Sequence, residues 1–292
     1  MRSFLLMIAG ALGATQAAAA DLPAVLRGPI VGEVVQAYRW DGIYGGGQIG
    51  FSVANVDFTN SVRALVADEV RLLTIEQDQQ ISQWPVQPKK NPVGGSFGAF
   101  VAYNCQWDDA VVGVELNYNR ASLSGSSGSS IGRSFFDSSS LPGGHSYLYD
   151  VTVTGAASAR ITDWATARLR GGWAAGQFLP YGFVAFAVGR TDISRSASVY
   201  GTGVDQPNPP PTFDIFGTCL TNCPLPDVGI FESRSDDRKG VFAYGAAAGL
   251  GIDVAVWRNV FLRGEWEYVR FAPVQGIRMQ INTVRTALGL KF

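Results

Sequence analysis

The chain has 292 residues, 47% of them hydrophobic and only 16% charged, with a formal net charge of −1; ordinary soluble domains are about 25% charged. That balance leaves no basic field to hold a nucleic acid, and length alone permits one large or two ordinary domains. A spanning helix needs about 20 consecutive apolar residues; beyond the N-terminal stretch the best run, Ala243 to Trp257, is too short and is broken by Asp253 and by glycines.

In chain order, Arg2, the apolar run from Phe4 to about Leu12 and the small-residue site Ala18-Ala19-Ala20 read as a secretory signal, residues 1–20, cleaved between Ala20 and Asp21. Residues 21–39 form an irregular periplasmic lead. From Trp40 the sequence alternates with the period of 2 that a strand imposes. The first strand, about 40–56, sets Ile43, Ile49, Phe51 and Val53 on one face and Tyr44, Gln48 and Ser52 on the other. Segment 57–92 breaks the pattern. Val62, Leu65, Val66, Val70 and Leu73 recur near helical spacing, which predicts a short helix capping a rim, and Pro85, Pro88 and Pro92 end it.

Strands follow at 93–106 and 110–122, joined by a short turn; the third alternates Val112, Val114, Leu116 and Tyr118 with Val111, Gly113, Glu115 and Asn117. Residues 122–144, rich in Ser and Gly, read as a mobile, solvated loop. Segments 149–162, 165–176 and 179–195 each look like a strand. Residues 196–239, with their prolines and a charged end, read as a long loop. Strands at 240–256, 259–272 and 280–292 complete the series. In the last, Val284, Thr286, Leu288, Leu290 and Phe292 share one face, and Arg285, Ala287, Gly289 and Lys291 share the other.

One face fit for lipid and one carrying charge is the pattern of a membrane barrel strand. Connections alternate between short turns and long loops at 57–92, 123–148, 196–239 and 273–279. Bacterial single-chain barrels have even strand numbers, short periplasmic turns and long outer loops. Merging 149–176 into one strand bent near Thr162-Asp163 meets that rule. The expected fold is all-β: an eight-stranded antiparallel transmembrane barrel over 40–292 with long extracellular loops, with ten strands as the alternative.

The faces opposite the lipid carry Glu115, Arg168, Arg170, Asp253, Arg263, Glu265, Glu267, Arg285 and Lys291. Eight strands leave room only for side chains to fill, and isolated buried charges are very costly. Three readings stand: a salt-bridge network that plugs the barrel, a narrow polar channel, or a catalytic constellation using a carboxylate pair such as Glu265 and Glu267. The spacing of these two on one strand, with arginines nearby, suits structural pairing. Cys219 and Cys223 sit in a loop where an oxidising compartment favours a disulfide; a metal site is the rival and would need more ligands. Cys105 is left as a free, buried thiol. His145, in a loop, has no visible nucleophile context. No metal or cofactor is expected.

Trp40-Asp-Gly-Ile-Tyr-Gly-Gly-Gly-Gln-Ile-Gly50 resembles the opening strand of small alphaproteobacterial outer-membrane β-barrel proteins of the opacity-like, hemin-binding-like kind. Ala167-Arg-Leu-Arg-Gly-Gly-Trp-Ala174, Phe178-Leu-Pro-Tyr181 and Ala187-Val-Gly-Arg190 are similar to that family's central hairpin, and Gly289-Leu-Lys-Phe292 to its closing strand. The resemblance implies residence in the bacterial outer membrane among its lipids and lipopolysaccharide, and recognition of Phe292 by the barrel-insertion machinery. It implies a non-enzymatic surface protein that supports outer-membrane integrity and surface interaction through its loops. A narrow porin-like channel and a hemin-binding surface protein are the alternatives.

Overall fold

A computed structural model describes residues 38–85, 87–137 and 145–292. The expected signal over 1–20, its cleavage between Ala20 and Asp21, and the lead as far as residue 37 lie outside the described residues. From β1 (Gly42–Asp57) the chain enters a helical insert of α1 (Arg63–Val70), α2 (Thr74–Gln79) and a 3-10 turn (Ile81–Gln83). It returns through β2 (Val93–Trp107), β3 (Ala110–Asp137), β4 (Tyr147–Trp173) and β5 (Phe178–Asp205). A small hairpin, β6 (Thr212–Phe213) and β7 (Cys219–Thr221), precedes β8 (Val228–Trp257), β9 (Val260–Phe271) and β10 (Arg278–Lys291).

Among the described residues eight of these strands close into a ring in the order β1-β10-β9-β8-β5-β4-β3-β2, every neighbour antiparallel. The region expected as one bent strand is a single strand, β4, which ends at Trp173, and its pairing with β5 slips between Ile161 and Asp163, at the bend expected from sequence. The slip changes parity: Ile161 and Trp164 both point inward and are buried. An extra residue of this kind is what a β-bulge supplies.

The strands fall into two lengths. β1, β2, β9 and β10 have 16, 15, 12 and 14 residues, while β3, β4, β5 and β8 have 28, 27, 28 and 30. A tilted spanning strand needs about 9–11 residues. Four adjacent strands therefore continue well past the membrane as a sheet. This corrects two expectations. The Ser/Gly-rich stretch after residue 122 is strand as far as Asp137, and within 196–239 only the middle is loop, because β5 runs on to Asp205 and β8 starts at Val228. The physical reason is the ladder: backbone N–H and C=O groups must be paired, and Ser124 through Asp137 pair with Arg160 through Tyr147.

Both ends of the ring's seam, Gly42 and Lys291, lie at the same end as the tight turns at 108–109 and 258–259, which makes that end periplasmic. Asp108 takes the left-handed conformation there, φ 50°, which Asp tolerates better than most residues. Around the spanning part, Ile49, Phe51, Val114, Leu116, Val184, Phe186, Leu250 and Leu288 point outward and are exposed as a lipid-facing belt. Above it the pattern reverses. The inward faces of the four long strands pack Val151, Val153, Ile193, Val199 and Ile230 against Val62, Leu65, Val66, Val70, Ile75, Ile81 and Trp84 of the insert. The helical spacing seen in the sequence thus marks the face that docks on the sheet.

Candidate functional site

Two places could carry function: the lumen and the outer platform. In the lumen the register brings together residues far apart in sequence. Arg168 of β4 donates from Nη1 to Glu115 Oε1 of β3 and to Glu265 Oε1 of β9, both at 2.9 Å, and its Nη2 pairs with Glu267. Arg263 grips Asp253 with Nε and Nη2 at 2.8 and 3.1 Å, and its Nη1 donates to Glu115 Oε2 at 2.8 Å. Arg170 Nη2 donates to Asp253 Oδ2 at 2.8 Å. Arg285 Nε donates to Glu265 Oε1 at 2.8 Å. Its Nη2 stands 2.7 and 2.6 Å from Glu265 and Glu267 without a directed hydrogen bond, so that contact is electrostatic.

Four arginines and four carboxylates therefore balance, each side chain at most 2% exposed. Charge-assisted pairs of this geometry are the strong ones. Lys291, expected among them, stands apart. It is the last inward position of β10, and its Nζ donates to the Arg39 carbonyl and lies 4.0 Å from Asp41 at the periplasmic rim. Parity put it on the right face, but its long stem carries the ammonium toward water.

Neutral groups complete the set, and sequence reasoning did not assign them to it. Tyr44 OH accepts from Arg170 at 2.6 Å, Tyr181 OH donates to Glu265 at 2.6 Å, and Trp164 Nε1 donates to Glu267 at 3.2 Å. Asn119 Oδ1 accepts from Arg285 at 3.0 Å and from Gln48 at 2.6 Å. All share the inward parity of the charged residues, which was the available signal. Tyr181 and Phe183 lie flat on the wall because their register partners are Gly251 and Gly249; a Cβ at either would come within 2.5 Å of a ring atom. The flat rings then seat the guanidiniums, Arg170 3.7 Å from the Tyr181 centroid and Arg168 4.3 Å from that of Phe183.

Apolar layers close both ends of this charged band. Trp40, Phe100, Leu179 and Phe261 lie on the periplasmic side, and the insert and its sheet lie on the outer side.

The outer platform is held by a different set. Arg234 pairs with Asp68 and Glu69 of α1, and Arg195 donates to the carbonyls of Ser61 and Gln275 at 3.0 and 3.1 Å and pairs with Asp236. The hydrogen bond from Arg195 holds the Asp236 carboxyl below its usual range. His145 is not loose: its Nδ1 is 2.7 Å from Asp205 Oδ2, which also accepts the Leu225 N–H at 2.7 Å. Burial pushes the Asp205 carboxyl up, but the bonds from Leu225 and His145 outweigh it and hold the carboxyl low.

Cys219 and Cys223 are joined as a disulfide. The small β6–β7 hairpin that leads into it exposes Phe213, Ile215, Phe216 and Leu220. Cys105 is free but only half-buried, on the outward face of β2 between Tyr103 and Trp107 rather than in a core. Among the described residues no cluster of three or more His, Cys, Asp or Glu side chains is arranged to hold a metal ion.

A closed ring with a lipid belt outside and paired charge inside defines a transmembrane β-barrel. The family model described as outer membrane protein beta-barrel domain matches residues 5–292, and the chain belongs to that family, a protein of the bacterial outer membrane. No curated protein matches it. Among solved structures it is similar to the attachment invasion locus protein Ail of Yersinia pestis, in complex with the heparin analogue sucrose octasulfate, at 12% identity over 85% of this chain and 99% of that one, TM-score 0.29. Neisserial surface protein A matches at 11% identity over 86% and 97%, TM-score 0.37. The outer membrane phospholipase A of Escherichia coli matches at 9% over 87% and 98%, TM-score 0.20.

Proposed function

We propose that the chain is a non-enzymatic surface protein whose barrel is a filled anchor and whose outer end does the work, supporting outer-membrane integrity and surface contacts. One observation carries the reading: the lumen holds four arginines matched to four carboxylates between two apolar layers, while four strands continue outward as a rigid display. An acid–base role would need a carboxylate free to change protonation. Glu265 and Glu267 are both tied to arginines and to Tyr181 or Trp164. A pore would need the same network to part. The motifs at the opening and closing strands support membership among the alphaproteobacterial opacity-like proteins, with Phe292 as the residue read by the insertion machinery. The exposed tip formed by Phe213, Ile215, Phe216 and Leu220 is the contact surface this reading favours, since clustered exposed apolar side chains mark interaction sites.

Planar-bilayer recording tests the anchor. Repeated insertions of the purified protein should conduct nothing, and stepwise conductance would overturn the reading. Complementation tests the display: the wild type should restore detergent resistance to a deletion strain, and a variant with 212–221 replaced by a short Gly/Ser linker should not, despite unchanged heat-modifiable gel mobility.

A further inference from the structure

The hairpin of β6 and β7 joins the outer ends of β5 and β8. On β5 the outward apolar run of the belt ends at Val188, and the strand continues to Asp205. That is roughly 55 Å of strand at about 3.3 Å per residue, or roughly 40 Å of height at a tilt of about 35–45°. The hairpin therefore stands clear of its own leaflet. Its base is fixed there: Asp205 accepts the Leu225 N–H at 2.7 Å, and Tyr147 OH donates to the Pro226 carbonyl at 2.9 Å.

Ile215 and Phe216 form the apex and are 92% and 86% exposed, with Phe213 and Leu220 extending the apolar surface below them. The turn beneath bonds its own backbone donors. Asp214 Oδ1 accepts the Phe216 and Thr218 N–H groups at 2.8 and 2.7 Å, and the Asp214 carbonyl accepts the Gly217 N–H at 3.1 Å. Gly217 closes the turn in the left-handed region, φ 81°. From Gln206 to Pro226 there is no Lys, Arg or Glu, and the one charged residue is Asp214, whose carboxylate is turned back onto the backbone. A protein partner reads an apolar anchor through polar contacts around it, about one hydrogen bond per 100–200 Å², yet three apex N–H groups are already taken. Lipid makes the opposite demand: backbone groups that approach it must be paired beforehand. The lack of basic residues removes any pull toward an anionic headgroup.

We propose that Ile215 and Phe216 enter the interfacial zone of a second, neutral lipid bilayer that faces the outer membrane, with Asp214 held at its headgroup level. Apolar side chains of interfacial segments sit about 5–10 Å deep, at the boundary of headgroups and acyl chains. The assignment names the partner of the exposed tip and rests on the display reading given above.

Proteoliposomes holding the full chain, tethered to a surface, are offered dye-filled phosphatidylcholine vesicles that carry no protein. The wild type should capture them. A double variant with I215S and F216S should capture roughly tenfold fewer, as expected when two apolar side chains are withdrawn from lipid. The pair I215L and F216L should retain most of the capture, with heat-modifiable mobility unchanged in both. Phosphatidylglycerol added to the acceptor vesicles should not raise capture. Brominated acyl chains in the acceptor should quench F216W emission beyond any loss in the wild type, whose seven tryptophans all lie outside 206–227. Capture indifferent to the Ser pair, capture that needs anionic lipid, capture only when both membranes carry the chain, or no extra quenching would overturn the proposal. No capture by the wild type, with the 212–221 linker variant still failing to restore detergent resistance, would sink the lipid partner and leave the display reading standing. Capture by the wild type with full restoration by that linker variant would uphold the lipid partner and sink the display reading.

Discussion

The spanning barrel and the outer platform are built from the same four strands, yet their cores are opposites. Within the membrane β3, β4, β5 and β8 turn Leu116, Leu169, Val184 and Leu250 outward, and their inward faces carry Glu115, Arg168, Arg170 and Asp253. Past the bulges the inward faces carry Leu123, Val153, Ile193 and Ile230, and the outward faces carry serines and threonines. The lesson is that the surroundings decide which face is the core. Lipid accepts the apolar side chains, which leaves the lumen to groups that must satisfy one another. Water accepts the hydroxyls, which returns the apolar face to an ordinary buried interior.

The largest break in that comparison should come from the lumen. Arg263→Leu takes from Asp253 and from Glu115 a partner at 2.8 Å, and removing one member of a buried pair costs about 3–5 kcal/mol. The variant should lose heat-modifiable mobility or unfold at distinctly lower denaturant. A wild-type midpoint would mean that the network is not what fills the barrel. Cutting the platform should do less to the whole and more to its own end. Ile81→Ala removes a fully buried side chain beneath the sheet, a change worth about 2–5 kcal/mol. Protease should then clip the insert and long loops faster while the barrel keeps its gel shift.

The smallest effect is on acidification. Asp205 and Asp236 have carboxyls held low in the folded state. Their contribution is fully present above the ordinary carboxylate pKa and is lost as pH falls through the lowered folded values. Once the intrinsic pH dependence of amide exchange is divided out, protection near Leu225 and Arg195 should fall as pH drops below about 4. Protection indifferent to acid would remove both aspartates from the account of the platform.

What the sequence made legible follows from the same contrast. Alternation against lipid is strong, so the faces of β1, β8 and β10 could be read directly, down to Tyr44, Gln48 and Arg285 pointing inward. The helix in the insert was legible because Val62, Leu65, Val66 and Val70 all meet one surface. The platform strands were not. Residues such as Ser124, Ser126, Gly128 and Ser130 have no apolar outward face, and their strand state comes from neighbours that supply the ladder. The charged residues could be named from parity, but their partners could not, since Arg168 meets Glu265 and Glu267 only across a closed ring. Parity also fixes a face without fixing a height, which is why Lys291 fell at the rim.

The seam between β1 and β10 gives the charge balance a second meaning. Arg168 on β4 meets Glu265 and Glu267 on β9, and Arg263 on β9 meets Glu115 on β3, only when the sheet is curled shut, since neither β4 and β9 nor β9 and β3 are neighbours in the ring. A flat or half-curled intermediate holds those charges apart in a setting that punishes each of them. Ring closure and charge pairing are therefore coupled: a register that misaligns these strands leaves the cross-lumen pairs unmade and the buried charges uncompensated.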